Sequence, residues 1–162
     1  MPTHHEGTRE EKRALDAYIT LMRAAESVTA RTSKPMTAHD LTVSQFGALE
    51  ALHHLGPLQS NELARKLLKT SGNITMVVDN LERRALVERH RLEDDRRCVV
   101  VQLTRAGRKL IQKVFPLVLA SIVGELSALD PGEQETLHRL ARKLGRPGTA
   151  GRSRAHEPDR GN

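Results

Sequence analysis

Residues 59–104 read QSNELARKLLKTSGNITMVVDNLERRALVERHRLEDDRRCVVVQLT, and this stretch decides the fold. It begins with two segments of helical periodicity, at 59–68 and from 70 onward, joined by a tight break. The second segment has its apolar residues at the i, i+3, i+4, i+7 spacing of a helix with one buried face: Ile74, Val77, Val78 and Leu81. Valine-rich runs follow at 87–92 and 98–104. The order predicts two short helices followed by a two-stranded hairpin.

A helix-turn-helix followed by a basic hairpin is the arrangement of a winged DNA-binding module. Its second helix enters a major groove about 12 Å wide, so the outward side near its N-terminus must be small and polar. Asn73 can pair with adenine through two hydrogen bonds, and Thr75 can contact a thymine methyl group. The residues that we expect to face the bases are Ser71, Asn73, Thr75 and Met76. An ordinary amphipathic helix with a solvated polar face is the alternative.

The distribution of charge favours double-stranded DNA as the partner. Residues 56–110 contain 12 Lys and Arg against 7 Asp and Glu, whereas the rest of the chain has 14 against 13. A basic centre between nearly neutral flanks is typical of nucleic-acid binding, although basic side chains also cover ordinary solvated faces. Arg96 and Arg97 at the predicted hairpin tip fit a narrow minor groove. Arg83 and Arg84 add charge further along the second helix.

Two more helices are predicted before this module. The first has an apolar stripe consisting of Leu15, Tyr18, Ile19, Met22 and Ala25. Thr42 and Gln45 form a capping box that begins the second, and Leu41 and Phe46 occupy the positions of a hydrophobic staple. This second helix should end at Gly56.

Two helices are also predicted after the hairpin. Thr104 caps a long helix whose apolar residues cover much of its circumference, and Pro116 should bend it. The last helix starts at Asp130, Pro131 and Glu133, where an N-cap, a first-turn proline and a capping-box glutamate coincide. The fold class expected from these patterns is mostly α with a small β-hairpin wing.

The wing sequence resembles the signature of the MarR (multiple antibiotic resistance regulator) family. Asp95-x-Arg97 is followed after five residues by Leu103-Thr104, as in that signature. The resemblance covers about residues 14–144 and extends to NELA at 61–64, SGNIT at 71–75, VDNLERR at 78–84 and TRAG at 104–107. One departure is Ala85, where relatives commonly have glycine before Leu-Val.

The resemblance implies a winged helix-turn-helix regulator that binds an inverted-repeat operator as a homodimer. Such regulators are usually repressors that release DNA when a small phenolic or quinone-like effector binds or a thiol is oxidised. Residues 9–144 would form one domain, in which 56–104 read DNA and helices in 9–40 and 105–144 interlock between subunits. In the wing, Asp95 would orient the side chain of Arg97.

An effector pocket is expected between the dimerisation helices and the DNA-reading module. Tyr18 and Phe46 belong to the helices that border this cleft by family resemblance, and aromatic rings are suited to stacking on a phenolic ligand. Met22 would add to the wall, and Arg23 could hydrogen-bond the ligand. The alternative is that these side chains simply fill the core.

Other functions find less support in the sequence. It has no nucleophile-elbow, phosphate-loop or zinc-protease motif, so we predict no enzyme, and no cofactor or metal is expected. Glu50 and His54 share a helix face near His53 but lack further ligands at metal spacing. Cys98 could be a redox switch, although burial in a wing strand is the simpler expectation. A dimeric helical module without a DNA role is the remaining alternative.

The termini and hydropathy predict a cytoplasmic protein. A single cysteine fits a reducing compartment, and the N-terminus lacks the order of a signal peptide. The longest uncharged apolar stretch, 114–124, is short of the ~20 residues that a membrane span needs. Residues 1–8 and the tail at 145–162, which has no Leu, Ile, Val or aromatic residue, are expected to be disordered.

Overall fold

The computed structural model describes residues 4–67, 70–91 and 99–145. Their elements, in chain order, are α1 (Arg9–Thr32), α2 (Lys34–Thr37), α3 (Val43–Leu55), β1 (Leu58–Gln59), α4 (Ser60–Lys66), α5 (Ser71–Arg83), β2 (Val87–Arg91), β3 (Val99–Leu103), α6 (Arg105–Leu126) and α7 (Pro131–Leu144). The strands form one antiparallel sheet in the order β1–β3–β2. This confirms a mostly helical fold with a small hairpin wing.

The helix starts depend on side-chain caps. At α3 the Gln45 amide N–H donates to Thr42 Oγ1 at 3.2 Å, and the Thr42 amide N–H donates to Gln45 Oε1 at 3.0 Å. Leu41 and Phe46, the staple residues, are both buried. At α7 the Glu133 amide N–H donates to Asp130 Oδ1 at 2.9 Å. The capping boxes predicted at these two helices are confirmed.

The hydrophobic core lies where α3, α4 and α5 pack against the sheet. Ile74, Val78 and Leu81 of α5 are at most 1% exposed, and Leu49 and Leu63 are fully buried with them. Burial of each such side chain contributes about 1.5–3 kcal/mol, so this cluster is the main stabilising feature of the module. The polar side of α5 is thereby turned outward.

Strand β1 was not predicted. It has only two residues, which pair with β3 as Leu58↔Val101 and Gln59↔Val100. So short a strand has no periodicity that a sequence pattern could reveal. It adds a third strand to the predicted hairpin, whose register runs from Val87↔Leu103 to Arg91↔Val99.

Helix α5 ends in a Schellman turn that contains Ala85. The Leu86 amide N–H donates to the Leu81 carbonyl at 2.9 Å, and the Ala85 N–H donates to the Glu82 carbonyl at 2.8 Å. Ala85 has φ +53°, in the left-handed region that glycine favours. A residue with a Cβ costs roughly 1–2 kcal/mol in this conformation, so alanine in place of the family's glycine makes the turn less stable.

The same turn packs against the start of α6. Thr104 Oγ1 donates to the Ala85 carbonyl at 2.7 Å and accepts from the Gly107 amide N–H at 3.0 Å. The Thr104 amide N–H donates to the Leu86 carbonyl at 3.2 Å. Thr104 therefore caps α6, as predicted, and also joins α6 to the end of α5.

The described chain divides into two compact units at Glu125/Leu126. In the first unit, Arg31 Nε of α1 lies 2.5 Å from Glu125 Oε2 near the end of α6. Helix α6 continues without interruption through Pro116, so the bend expected there stays a prediction. In the second unit, Gln134 Nε2 donates to the carbonyls of Leu126 and Leu129. No single helix among the described residues is long and apolar enough to span a membrane, and α6 and α7 reach that length and composition only when taken together across their break.

Candidate nucleic-acid interface

The N-terminal turn of α5 is held by Thr70. Its Oγ1 accepts the Asn73 amide N–H at 3.3 Å, and Asn73 lies at an exposed position. Met76 is 63% exposed, and Thr75 is exposed as well. Ser71 begins the helix. A thioether and a carboxamide are thus presented on a rigid, capped helix.

The outward residues of α5 fall on two flanks. At about 100° per residue, Thr75 lies roughly 200° around the helix from Asn73. Asn73 and Met76 line a cleft of ≈330 Å³ with the start of α3, together with Thr42, Ser44, Gln45, Val77 and Asn80. Thr75 lies on the other flank, toward the positions of Asp79 and Glu82. Sequence reasoning missed Ser44, which only the tertiary packing of α3 against α5 brings to this cleft. It also missed Asn80, although helical spacing places Asn80 on the same face of α5 as Asn73 and Met76.

The two arginines at the end of α5 are engaged within the protein. Arg83 Nη2 donates to Asn80 Oδ1 one turn earlier. Arg84 Nη1 donates to the carbonyl of Asp40 at 2.6 Å, across 44 residues of sequence. Asp40 has φ +56°. Arg84 therefore connects the end of α5, the predicted recognition helix, to the loop before α3.

Strand β2 contacts α5 through Arg89. Arg89 Nη2 lies 2.5 Å from Asp79 Oδ1, and Nη1 pairs with Glu82 Oε2. The Arg89 amide N–H also donates to Glu82 Oε1 at 3.3 Å. Partial burial disfavours the charge, but the hydrogen bond to Asp79 and the two carboxylate charges outweigh it and raise the pKa of Arg89.

A second polar cluster lies on the other face of the hairpin. Gln102 Nε2 donates to Glu88 Oε1 at 3.0 Å, and His90 Nε2 lies 3.1 Å from the same oxygen. The hydrogen bond from Gln102 is the main cause that lowers the pKa of Glu88, and the hydrogen bond from His90 lowers it further. Both partners are cross-strand or same-face neighbours in the β2–β3 ladder, so this cluster keeps the hairpin register.

The predicted tip of the wing lies outside the described residues. This applies to Asp95, Arg96, Arg97 and Cys98. The strands are paired up to Arg91 and Val99. The DNA contacts expected of the two arginines, the orienting role of Asp95 and the redox role of Cys98 stay predictions. The same holds for disorder at residues 146–162.

The predicted effector residues lie in different environments. Tyr18 is 63% and Met22 50% exposed, and Arg23 is exposed on the same helix. Met22 lines an open apolar hollow of ≈520 Å³ on the exposed surface of α1, with Ala25, Glu26, Thr29 and Ala30. Phe46 is 8% exposed and packs in the core. Of the four predicted residues, only Met22 lines this hollow, and Phe46 lies beneath the surface, so the effector pocket stays a prediction.

The histidines of α3 form a ring cluster with α6. The His54 ring centroid lies 5.0 Å from those of His53 and Phe115, edge to face. His54 Nε2 is 3.8 Å from Glu50 Oε1. Within the described ranges no group of three or more His, Cys, Asp or Glu side chains could hold a metal ion.

Comparison with known proteins agrees with this geometry. The model of the MarR family matches residues 39–97. Two proteins of Bacillus subtilis (strain 168) are each 33% identical: the uncharacterized HTH-type transcriptional regulator YkoM, over 84% of this chain and 88% of its own, and the HTH-type transcriptional regulator MhqR, over 83% and 92%. A solved structure of Bordetella bronchiseptica BpsR, whose DNA binding is regulated by 6-hydroxynicotinic acid, is 26% identical with a TM-score of 0.72 and covers 79% of this chain and 97% of that one.

The matched region contains the capped helix α5, its Schellman turn and the strand that Arg89 fixes to it. With relatives aligned over most of both chains and the same winged fold in a solved structure, the sequence resemblance is confirmed. The chain belongs to the MarR family and is a winged helix-turn-helix, DNA-binding transcriptional regulator.

Proposed function

We propose that this regulator is a ligand-responsive repressor that binds an inverted-repeat operator as a homodimer. The observation that carries the proposal is the capped helix α5, whose outward face exposes the polar Asn73 and the apolar Met76. A helix of this kind fits a major groove, and the strand beside it leads to the wing that would follow the adjacent minor groove. We assign base readout to Ser71, Asn73, Thr75 and Met76. Contacts to the DNA backbone or minor groove are assigned to Arg83, Arg84, Arg96 and Arg97.

The exposed apolar side chains support a second copy of the chain as partner. They lie on α1 (Leu15, Tyr18, Leu21, Met22), on α6 (Leu117, Leu119, Ile122, Val123) and, in the second unit, on α7 (Leu137, Leu140, Leu144). Apolar patches of this extent are typical of protein–protein interfaces. A two-fold dimer presents two recognition helices to half-sites one helical turn apart, about 10 base pairs. We place this dimer in the cytoplasm and assign it no catalytic activity.

Asn73→Ala is expected to weaken binding to the operator by about 30-fold or more. The carboxamide supplies one base contact per half-site, such a contact contributes about 1–3 kcal/mol, and the mutated homodimer loses two of them. The measurement is a titration of a duplex from the chain's own promoter region and of a scrambled duplex of the same length, at two salt concentrations. Preference for the promoter duplex should fall while the salt dependence stays unchanged.

The matched control is Gln112→Ala, which removes an exposed carboxamide from α6. It should bind both duplexes like the wild type. If Asn73→Ala also discriminates as well as the wild type, base readout lies elsewhere. If the folded wild-type protein shows no preference for any segment of its promoter region, the proposed function itself is wrong.

A hydroxylated aromatic ligand is expected to release the protein from DNA and to raise its melting temperature. BpsR is regulated by such a compound, and Tyr18, Met22 and Arg23 offer a phenol, an apolar wall and a cation on one helix. A ligand that prefers the dimer shape that does not fit the operator lowers the affinity for DNA. By the same coupling free energy, bound DNA lowers the affinity for the ligand. Salicylate and hydroquinone serve as probes in a DNA-release titration paired with a thermal melt.

Tyr18→Phe tests the pocket without disturbing the core, because Tyr18 is exposed whereas Phe46 is buried. Loss of one hydrogen bond should raise the ligand concentration needed for release by about 2- to 10-fold. Equal response of wild type and Tyr18→Phe to both probes would contradict a hydrogen bond from Tyr18 to the ligand.

A further inference from the structure

We infer that Arg89 is a positioning residue that locks the wing to the recognition helix, so that the two DNA-contacting elements of a subunit move as one body. The inference rests on the proposed DNA-binding function. The Arg89 side chain faces the carboxylates of Asp79 and Glu82.

The geometry is a three-point attachment between one strand residue and one helix turn. Both terminal nitrogens of the Arg89 guanidinium are engaged, Nη2 with Asp79 at 2.5 Å and Nη1 with Glu82. The backbone N–H of Arg89 donates to the second oxygen of Glu82 at 3.3 Å. A planar guanidinium that bridges two carboxylates restricts rotation as well as distance, which a single ion pair does not.

The position of Arg89 in the strand makes this attachment possible. Val87, two residues earlier and on the same face of β2, is 1% exposed and is part of the core. Arg89 therefore lies on the same face of β2 as Val87 but nearer the surface, beside α5, and its side chain is 27% exposed. Its cross-strand partner Val101 is fully buried, so the backbone at this point is fixed from both sides.

Few other contacts can hold the outer half of the hairpin. Beyond Arg89, His90 and Arg91 of β2 are exposed. A two-stranded hairpin is only marginally stable by itself, and β1 reaches no further along β3 than Val100. The attachment at Arg89 is thus the last described link between the recognition helix and the segment that leads to the wing tip.

Arg89 also neutralises two carboxylates, and the experiment must distinguish this electrostatic effect from the positioning of the wing. Without the guanidinium, Asp79 and Glu82, whose side chains are 49% and 39% exposed, would present two uncompensated negative charges beside the DNA backbone. A loss of affinity in Arg89→Gln alone could therefore come from repulsion. Neutral carboxamides at both positions remove the repulsion and do not restore the attachment.

The experiment compares folded dimers of four proteins in DNA titrations over a range of salt: wild type, Arg89→Gln, the triple variant Asp79→Asn/Glu82→Gln/Arg89→Gln, and Lys113→Gln. The last removes one exposed positive charge from α6 and serves as the matched control. Arg89→Gln should bind about tenfold or more weakly. Its salt slope should fall by about 0.9 for each phosphate that the wing no longer reaches, although the Arg89 guanidinium itself is engaged by Asp79 and Glu82 and not by a phosphate.

The triple variant decides between positioning and repulsion. We expect it to keep the reduced slope and to lose hydroxyl-radical protection of the minor groove flanking each half-site, with the major-groove footprint retained. Return of the triple variant to wild-type affinity and slope would overturn the inference, as would unchanged binding by Arg89→Gln. If Arg89→Gln does not fold, Asp79→Asn, which removes one of the three attachment points, should show the same slope reduction in part, and an unchanged slope there would equally overturn it. Failure of the wild type to bind contradicts the proposed function instead.

Discussion

Gly107→Ala is expected to destabilise the protein by about 3 kcal/mol or more, or to prevent folding. A Cβ built at Gly107 would lie 1.9 Å from the carbonyl oxygen of Leu86 and 2.9 Å from its carbonyl carbon. Overpacking in a core usually costs about 1–3 kcal/mol, because side chains can shift. Here the obstacle is backbone, and the same oxygen accepts the Thr104 amide N–H, so relief requires separation of α6 from the end of α5.

Urea denaturation followed by circular dichroism measures this effect, with Gly72→Ala as the control. Gly72 is also helical and exposed, and a Cβ there meets nothing within 4 Å. An alanine at that site should be neutral or stabilising by up to about 1 kcal/mol. If Gly107→Ala unfolds at the same urea concentration as Gly72→Ala, the close approach of α6 to the turn is wrong.

Val123→Asp is expected to convert the dimer to monomers and to reduce operator affinity by about 10²- to 10⁴-fold. Val123 is 61% exposed in the isolated subunit and belongs to the apolar surface of α6 that we assign to the partner. A carboxylate buried in such an interface without a partner loses its hydration. A monomer can hold only one half-site at a time, so the gain from linked binding disappears.

Light scattering at micromolar concentration measures the mass, which should fall to the 18.0 kDa of one chain. Gln112→Asp is the control, since it puts the same charge at an exposed polar position of the same helix and should leave the mass and affinity unchanged. A Val123→Asp protein that remains dimeric and binds its operator normally would place the dimer interface elsewhere.

Local signals in the sequence predicted the capped helix starts, whereas the four-residue helix α2 was not predicted. Capping residues act within four positions of the helix start, so Thr42 and Asp130 could be recognised from spacing alone, and the structure confirms both. The change from helical periodicity to short valine-rich runs after Leu81 predicted the hairpin, because this signal is also local. Ala85 stood out only by comparison with the family, and its left-handed φ shows why glycine is common there.

Contacts that depend on tertiary packing were beyond the sequence patterns. Arg84 reaches Asp40 across 44 residues, and Arg89 reaches Asp79 and Glu82 across 10 and 7. No periodicity distinguishes these arginines from surface cations. The burial of Phe46 was left open for a similar reason, because an aromatic on an apolar helix face suits a core and a pocket equally. Only the packing of α3 puts it in the core.

The hydrogen bond from Thr104 to the Ala85 carbonyl couples the angle of helix α6 to the position of the recognition helix. The 22 residues of α6 span about 33 Å at 1.5 Å per residue, with one end bonded to the turn that follows the recognition helix and the other rich in exposed apolar side chains. If α6 tilted by about 6° about its apolar C-terminal end, its N-terminal end at Thr104 would move by roughly 3.4 Å, which is the rise of one base pair. A ligand that changes the helix angle by a few degrees could therefore put the two recognition helices of a dimer out of register with their half-sites.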